Sequence, residues 1–205
     1  MAVARAVARL PFHGHVETTM HALRLIQAAR EGVIPRITRR LNDNERRTMI
    51  KSGAVFVFSV EESRIKRWTD GLLWSPSRIV GNFLVYREVT ERTFNRGGSR
   101  RPYPVDASLF EGSRNSISWN NDDVDKPILK PGGLVKKTIT VTVDGADLHL
   151  ISYYTMKDLN EGFLDTPTSR PDIMTLDIPP EIFRLSNLRV PPKVEMGTDG
   201  IARIV

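Results

Sequence analysis

Apolar residues recur at three-residue spacing from Met20 through Leu23 and Ile26, which predicts an amphipathic helix running to Arg30. Thr18 or Thr19 supplies its N-cap, Gly32 stands where a C′ glycine ends a helix, and Pro35 blocks continuation. Asn42 and Glu45 have capping-box spacing and predict a second short helix that carries Met49 and Ile50 and stops at Gly53. The period then changes. Ala54-Val-Phe-Val-Phe-Ser-Val60 is rich in β-branched and aromatic residues and reads as a buried strand. Residues 79–89 return to that composition, with Phe83, Val85 and Tyr86 available for packing. Between these strands, residues 61–78 are polar, basic and aromatic, broken at Asp70-Gly71 and Pro76, and read as a long structured loop.

From Thr90 to Pro131 the pattern fades into a linker marked by Gly97-Gly98, Pro102, Pro104 and Pro131-Gly132-Gly133. It has few apolar anchors, of which Trp119 is the one expected to dock on the core. Order resumes at Leu134. Val135, Lys137, Ile139, Val141 and Val143 share one face of a strand, and Lys136, Thr138, Thr140 and Thr142 the other. Asp144-Gly145 signals a tight hairpin, with Leu148 to Tyr154 as the return strand. A lone hairpin is marginal in water, so this second island is expected to join the strands of the first. The fold class expected is α+β: a single mixed, mainly antiparallel β-sheet domain built from two sequence-separated halves, with a few short helices. Its bounds are 11–155, with a first half at 11–90, a variable linker at 91–130 and a second half at 131–155. Residues 156–205, which hold two Pro-Pro pairs and a short predicted helix at 181–188, form a C-terminal extension expected to be partly packed or mobile.

Composition narrows the classes. The 205 residues contain no cysteine, which excludes a disulfide scaffold, a thiolate-ligated zinc site and a cysteine nucleophile. No run approaches the roughly 18 apolar residues of a membrane-spanning helix, so no membrane association is expected. The opening ten residues, with Arg5 and Arg9 among small apolar ones, are too short for a secretory signal, though their composition leaves a mitochondrial-type presequence open. His13-x-His15 lacks the carboxylates that would complete a metal site. Neither a Gly-rich phosphate loop nor a nucleophile elbow is present, so no cofactor and no enzyme are expected.

The formal charge of +6 hides an asymmetry. Residues 1–101 hold 19 Lys+Arg against 9 Asp+Glu, and 17 of the 19 cations are arginine; residues 102–205 hold 11 against 15. Arginine's planar fork suits phosphates, guanine edges and narrow minor grooves, so a basic first half points to a polyanion.

Five motifs then carry a resemblance. They are Pro35-Arg-Ile-Thr-Arg-Arg-Leu41, Ser52-Gly-Ala-Val-Phe-Val-Phe58, Lys66-Arg-Trp-Thr-Asp-Gly71, Trp74-Ser-Pro-Ser-Arg-Ile79 and Gly81-Asn-Phe-Leu-Val-Tyr-Arg87. In this order they resemble the first half of the WOPR domain, which defines a family of fungal transcription regulators. Gly133-Leu-Val-Lys-Lys-Thr138 and Leu148-His-Leu-Ile-Ser-Tyr-Tyr154 resemble its second half. The resemblance implies a nuclear, sequence-specific DNA-binding protein that recognises an A/T-rich duplex through both grooves. It further implies a regulator of development or morphology, with other transcription regulators as partners. Many members carry long low-complexity C-terminal tails, which these 205 residues do not include.

The loop at 64–78 is the first candidate contact, with its Arg side chains suited to a narrow, strongly negative minor groove. Arg64, Lys66, Arg67 and Arg78 supply charge, and Thr69, Ser75 and Ser77 supply hydroxyls for phosphates. Trp68 and Trp74 either anchor the loop or stack on bases, with anchoring favoured. Asp70 repels phosphate and reads, with Gly71, as a loop organiser that orients Arg67 or a backbone N–H. Arg36, Arg39 and Arg40 form a second cluster, either on phosphates and the major groove or as a solvated face. Lys136, beside Thr138, is the better DNA candidate of its lysine pair. The run Lys66-Arg67-Trp68-Thr69 also reads as a basophilic kinase substrate, which makes Thr69 a candidate phosphorylation site. The alternative function is a regulatory adaptor that binds RNA or an acidic protein without specific DNA recognition.

Overall fold

The computed structural model describes residues 10–91 and 128–205, so the docking expected of Trp119 lies outside the described residues. In chain order, helices α1 (Thr19–Arg30) and α2 (Asp43–Met49) precede strand β1 (Val55–Ser59) and a single helical turn, α3 (Val60–Ser63). Strands β2 (Arg78–Val80), β3 (Phe83–Arg87) and β4 (Val89–Glu91) follow, then β5 (Ile128–Leu129), β6 (Val135–Val143) and β7 (Ala146–Tyr154). The extension adds α4 (Met156–Asn160), α5 (Pro171–Met174), β8 (Val194–Met196) and β9 (Ala202–Ile204). At 181–188, where one short helix was expected, two 3-10 turns stand instead, Pro180–Ile182 and Leu185–Asn187. Pro180 opens the first of them, at a position where its missing N–H costs no helical bond.

The local signals act as their chemistry requires. Thr18 Oγ1 accepts from the His21 N–H at 3.1 Å and starts α1. Asn42 and Glu45 exchange both bonds of a capping box at 2.8 Å each, which satisfies two donors of α2 that its own turns cannot. Asp144 and Gly145 both hold positive φ, 48° and 81°, the pair of left-handed residues a two-residue hairpin turn of matching twist needs. Any β-branched residue at Gly145 would be strained there.

The main sheet has the order β1-β7-β6-β3-β2, every pairing antiparallel. The hairpin of the second half thus lies in the middle. β7 pairs with β1, setting Phe56 opposite Ile151, and β6 pairs with β3, setting Val85 opposite Lys137. Removing either half would strip the other of its partner strands and expose its apolar faces.

Strand alternation gives the sheet two different faces. One face, with Val57, Phe83, Ile139, Val141, Val143, Leu148 and Leu150, packs under the buried stripe of α1 around Leu23, Leu25 and Ile26. The extension completes this core. Ile173 is fully buried, Phe183, Leu188 and Ile204 join the cluster, and Phe183 bridges Val143. Val190 and Asn82 exchange two hydrogen bonds at 2.7 and 2.8 Å, tying the extension to the β2–β3 turn. The second face, with Phe56, Phe58, Ile151 and Tyr153, is covered by loop residues Ile65, Trp68 and Trp74 and by Ile37, Leu41 and Ile50.

The base of the linker is closed by β4 pairing with β5 and by the buried Glu88. Its carboxylate accepts from Lys130 Nζ at 2.8 Å and the Leu134 N–H at 2.9 Å. On the helix-covered face sits an unusual buried cation. Lys137 Nζ donates to the Val16 and Glu17 carbonyls at 2.7 and 2.8 Å and lies 4.0 Å from the Phe83 ring centre. Burial pushes its ammonium down to about 8, the charge of Glu17 partly opposing.

His15 lies beside this site, edge-on to Tyr154. Burial first, then the charge of Lys137, pushes its imidazole from 6.5 down to about 4. The unfolded chain therefore takes up this proton first as the pH drops. The stability tied to neutral His15 is complete above about pH 6.5 and is lost as the pH falls to about 4. The midpoint of urea unfolding is expected to fall across that window. His15→Gln should flatten part of the fall, with the remainder shared by His21 and His149, whose imidazoles are also depressed by burial, and, toward the acid end, by carboxyls held low in the fold such as Glu45. An unchanged slope in the variant would show that His15 carries none of it.

Candidate nucleic-acid interface

The loop between α3 and β2 is built from one buried carboxylate outward. Asp70 is 9% exposed, and four donors, one from each of four residues, reach its two oxygens. Trp74 Nε1 donates at 3.0 Å, Tyr153 OH at 2.8 Å, Lys136 Nζ at 3.0 Å and the Leu72 N–H at 3.2 Å. Trp68 Nε1 in turn donates to the Tyr153 hydroxyl at 2.7 Å. Burial works against the charged form of Asp70, but the bonds from Trp74 and Tyr153 and the charge of Lys136 outweigh it, and the carboxyl stays below its ordinary value. Burial lowers the Lys136 ammonium, with Asp70 opposing, and burial plus the Asp70 charge raises the Tyr153 phenol.

Aromatic packing fills the space around this network. Trp68 stacks on Phe58 with ring centres 5.4 Å apart and planes 15° apart, and it also touches Phe56 at 5.2 Å. Trp74 is 9% exposed and lies 6.0 Å from Tyr153. Both tryptophans thus sit in the loop's own foundation, and Trp74 has no face left for a base. Gly71, at φ +78°, makes the turn that follows Asp70 without Cβ strain. Arg64 takes the left-handed conformation at φ 59° and ends α3, swinging the chain into the loop.

Outside that foundation, Arg64, Lys66, Arg67 and Thr69 are exposed. Among the described residues, none of these three cations has a carboxylate within ion-pair distance. Ser77 and Arg78 are exposed at the entry to β2. Arg40 reaches the same loop, its Nη1 lying 3.4 Å from both Thr69 Oγ1 and the Arg67 carbonyl oxygen. Arg39 remains 66% exposed while bonding Glu45 at 2.6 and 2.9 Å.

Three residues expected at the contact surface are committed elsewhere. Lys136 is turned under the loop, bonded to Asp70 and lying 4.4 Å from the Trp74 ring centre, because its strand face is the one the loop covers. Arg36 forks onto Glu62 at 2.8 and 3.0 Å and donates to the Ala29 carbonyl at 2.7 Å, closing the C-terminal end of α1. Ser75 Oγ accepts from the Arg87 N–H at 3.0 Å and donates to the Pro76 carbonyl at 3.0 Å, so it holds backbone. Asp70, expected to orient Arg67 or a backbone N–H, bonds the Leu72 N–H and three side chains, and none of these is Arg67.

Two residues carry roles that the sequence pattern hid. Tyr153 reads as one more apolar strand position, and only the β1–β7 register brings it under Trp68. Arg46 reads as a solvated helix residue, yet it lines a cleft of about 160 Å³ with Arg40, Arg67, Trp68 and Thr69. Among the described residues there is no cluster of histidines and carboxylates able to hold a metal ion, and no helix long and apolar enough to cross a membrane.

An α+β sheet domain that presents an arginine loop on a buried polar hub is the class this geometry defines. The Gti1/Pac2 family model matches residues 11–116 and 106–155, and the chain belongs to this family, the WOPR family. It is 35% identical over 217 residues to the global transcription regulator sge1 of Gibberella moniliformis, covering 92% of this chain and 66% of that protein. It is 34% identical over 196 residues to the cAMP-independent regulatory protein pac2 of Schizosaccharomyces pombe, covering 82% of this chain and 79% of that one. The chain spans two thirds or less of the sge1 proteins it matches, 66% of one and 45% of that from Verticillium dahliae. Among solved structures, the WOPR domain of Wor1 from Candida albicans in complex with a 13-bp double-stranded DNA matches with a TM-score of 0.59 and 34% identity. That match covers 84% of this chain and 94% of the other, and the complex with a 17-bp duplex matches at a TM-score of 0.56. The named relatives are regulators, not enzymes.

Asp70→Asn is expected to cost roughly 3 kcal/mol of folding stability, since it leaves the Lys136 ammonium buried beside a neutral amide. Lys136→Met combined with Asp70→Asn should cost less than the two single changes added, because the stranded charge is gone. Thermal or urea unfolding of the three variants reads this directly, and strict additivity would show that the pair is not coupled.

Proposed function

We propose that this chain is a sequence-specific DNA-binding transcription regulator that acts in the nucleus and recognises an A/T-rich duplex. The loop at 64–78 enters the minor groove with Arg64, Lys66 and Arg67, while Thr69, Ser77 and Arg78 meet the flanking phosphates. Arg39 and Arg40 add phosphate or major-groove contacts from the neighbouring segment. The observation that carries this reading is the pairing of a rigid, buried foundation with Arg64, Lys66 and Arg67, exposed cations that have no carboxylate partners among the described residues. A loop whose backbone is held in place in this way loses little backbone entropy when its arginines enter a narrow groove. The complex of the Wor1 domain with duplex DNA supports it by family membership. Other transcription regulators are the partners this role requires.

Selection of bound sequences from random duplexes tests the reading, and A/T-rich winners are the expected result. Binding to the selected site should fall steeply with salt, as counterion release demands. A flat salt dependence with retained binding to RNA or an acidic protein would favour an adaptor instead.

Arg67→Ala is expected to weaken binding to the selected site by roughly 1–3 kcal/mol, the scale of one groove-reading contact. Equal binding in a gel-shift titration would remove the loop from the recognition surface. Phosphorylation of the exposed Thr69 would set close to two negative charges among these cations and oppose binding to DNA. Thr69→Glu is accordingly expected to bind more weakly than Thr69→Ala, and matched affinities would exclude this control.

A further inference from the structure

Beside the loop, residues from three segments converge on one small cleft. Arg40 comes from the segment leading into α2, Arg46 from α2 itself, and Arg67 and Thr69 from the loop, with the apolar residues Leu41 and Ile65 also lining it. The cleft's volume of about 160 Å³ is several times the ~30 Å³ share of a liquid water and below the ~300 Å³ at which small-molecule pockets begin. That room suits a tetrahedral oxyanion and excludes a whole nucleotide.

The electrostatics agree. Three arginines line it against one carboxylate, Asp43, which bonds Arg46 from a largely exposed position. Arg40 Nη1 makes only long contacts, 3.4 Å to Thr69 Oγ1 and 3.4 Å to the Arg67 carbonyl oxygen. Arg46 presses against the loop turn, where a Cβ on Gly71 would lie 4.0 Å from its Nη1. Its Nε is shut off from solvent and has no hydrogen-bond partner among the described residues. A buried donor without an acceptor is costly, and a phosphate oxygen is the acceptor that a guanidinium fork matches best.

We propose that the cleft between Arg40, Arg46 and Thr69 is a phosphate-binding site that takes one phosphodiester of a nucleic-acid backbone at the flank of the loop. This rests on the DNA-binding reading and deepens it. The clamp fixes where the loop meets the duplex and carries no sequence information, because every nucleotide offers the same phosphate. Arg67 bounds both the cleft and the groove-facing side of the loop, so a phosphate held by Arg40 and Arg46 sets the register in which Arg67 meets the bases.

Two arms test it. In the first, inorganic phosphate is titrated into the isotopically labelled protein in a phosphate-free buffer and the Arg46 Nε–H and Thr69 amide resonances are followed. Saturable shifts at both resonances in wild type, with the Thr69 shift lost in Arg46→Gln, support the site; no shift at either resonance in wild type, or a Thr69 shift unchanged in Arg46→Gln, overturns it. In the second, wild type, Arg46→Gln and Arg46→Lys are titrated with the selected duplex and a scrambled duplex of equal length across a range of salt. Arg46→Gln should bind both about tenfold more weakly and lower the log–log salt slope by about one, the signature of one lost phosphate contact. Arg46→Lys should keep most of the slope. A phosphate shift with an unchanged slope overturns the nucleic-acid assignment and leaves a site for free phosphate only. A loss confined to the selected duplex overturns it as well, since Arg46 would then read sequence. If wild type binds neither duplex, the DNA-binding reading fails, and the phosphate titration alone decides the cleft. Thermal melts of the variants show whether each is folded.

Discussion

Everything the arginine loop can do depends on the carboxylate of Asp70. An aspartate taken out of water is costly unless it is paired and its lone pairs are filled. Here Lys136 supplies the charge, and Trp74, Tyr153 and the Leu72 N–H supply the bonds. The donors come from the loop itself, from β6 and from β7, so a single group joins the two halves of the domain at the contact surface. A half-satisfied network would be worse than an apolar one, which is why the removal of any single member is costly. An acidic residue in a basic loop, which looks misplaced on a polyanion-binding surface, is thereby hidden from the polyanion and turned into the loop's anchor.

The same economy of charge runs through the rest of the surface. Arg36 and Arg39 both fork onto glutamates, but Arg36 also seals the end of α1 and is spent on the fold. Lys136 and Lys137 are neighbours on one strand and both turn inward, Lys136 half-buried under the loop and Lys137 buried on the other face of the sheet. Among the described residues, positive charge left for a partner is therefore a subset of what the sequence counts, with Arg40, Arg64, Lys66 and Arg67 in it and Arg46 added by the cleft. A net-charge figure cannot make this selection, because it weighs a buried lysine and a free arginine alike.

The extension is a second case where packing decides. Its prolines and scattered apolar residues show no helical or strand period, and such segments are left mobile unless something orders them. Ile173, Phe183, Leu188 and Ile204 are spaced to fill gaps over α1 and the β6–β7 hairpin, a pattern set by the shape of that surface and not by any repeat. Residues 156–205 are thus part of the fold that presents the loop.

The sequence by itself determined the local elements. The Thr18 cap, the Asn42–Glu45 box, the alternation of β6 and the Asp144-Gly145 turn are all written in residues a few positions apart, where short-range sterics and hydrogen bonds suffice. It also marked the loop at 64–78 and its motifs. Which cations of that surface remain free was decided only by the tertiary structure, since the partners of Asp70 are 66 and 83 residues away in the chain at Lys136 and Tyr153. The sheet register brings those partners under the loop, and a register set between distant strands leaves no period in the sequence to read.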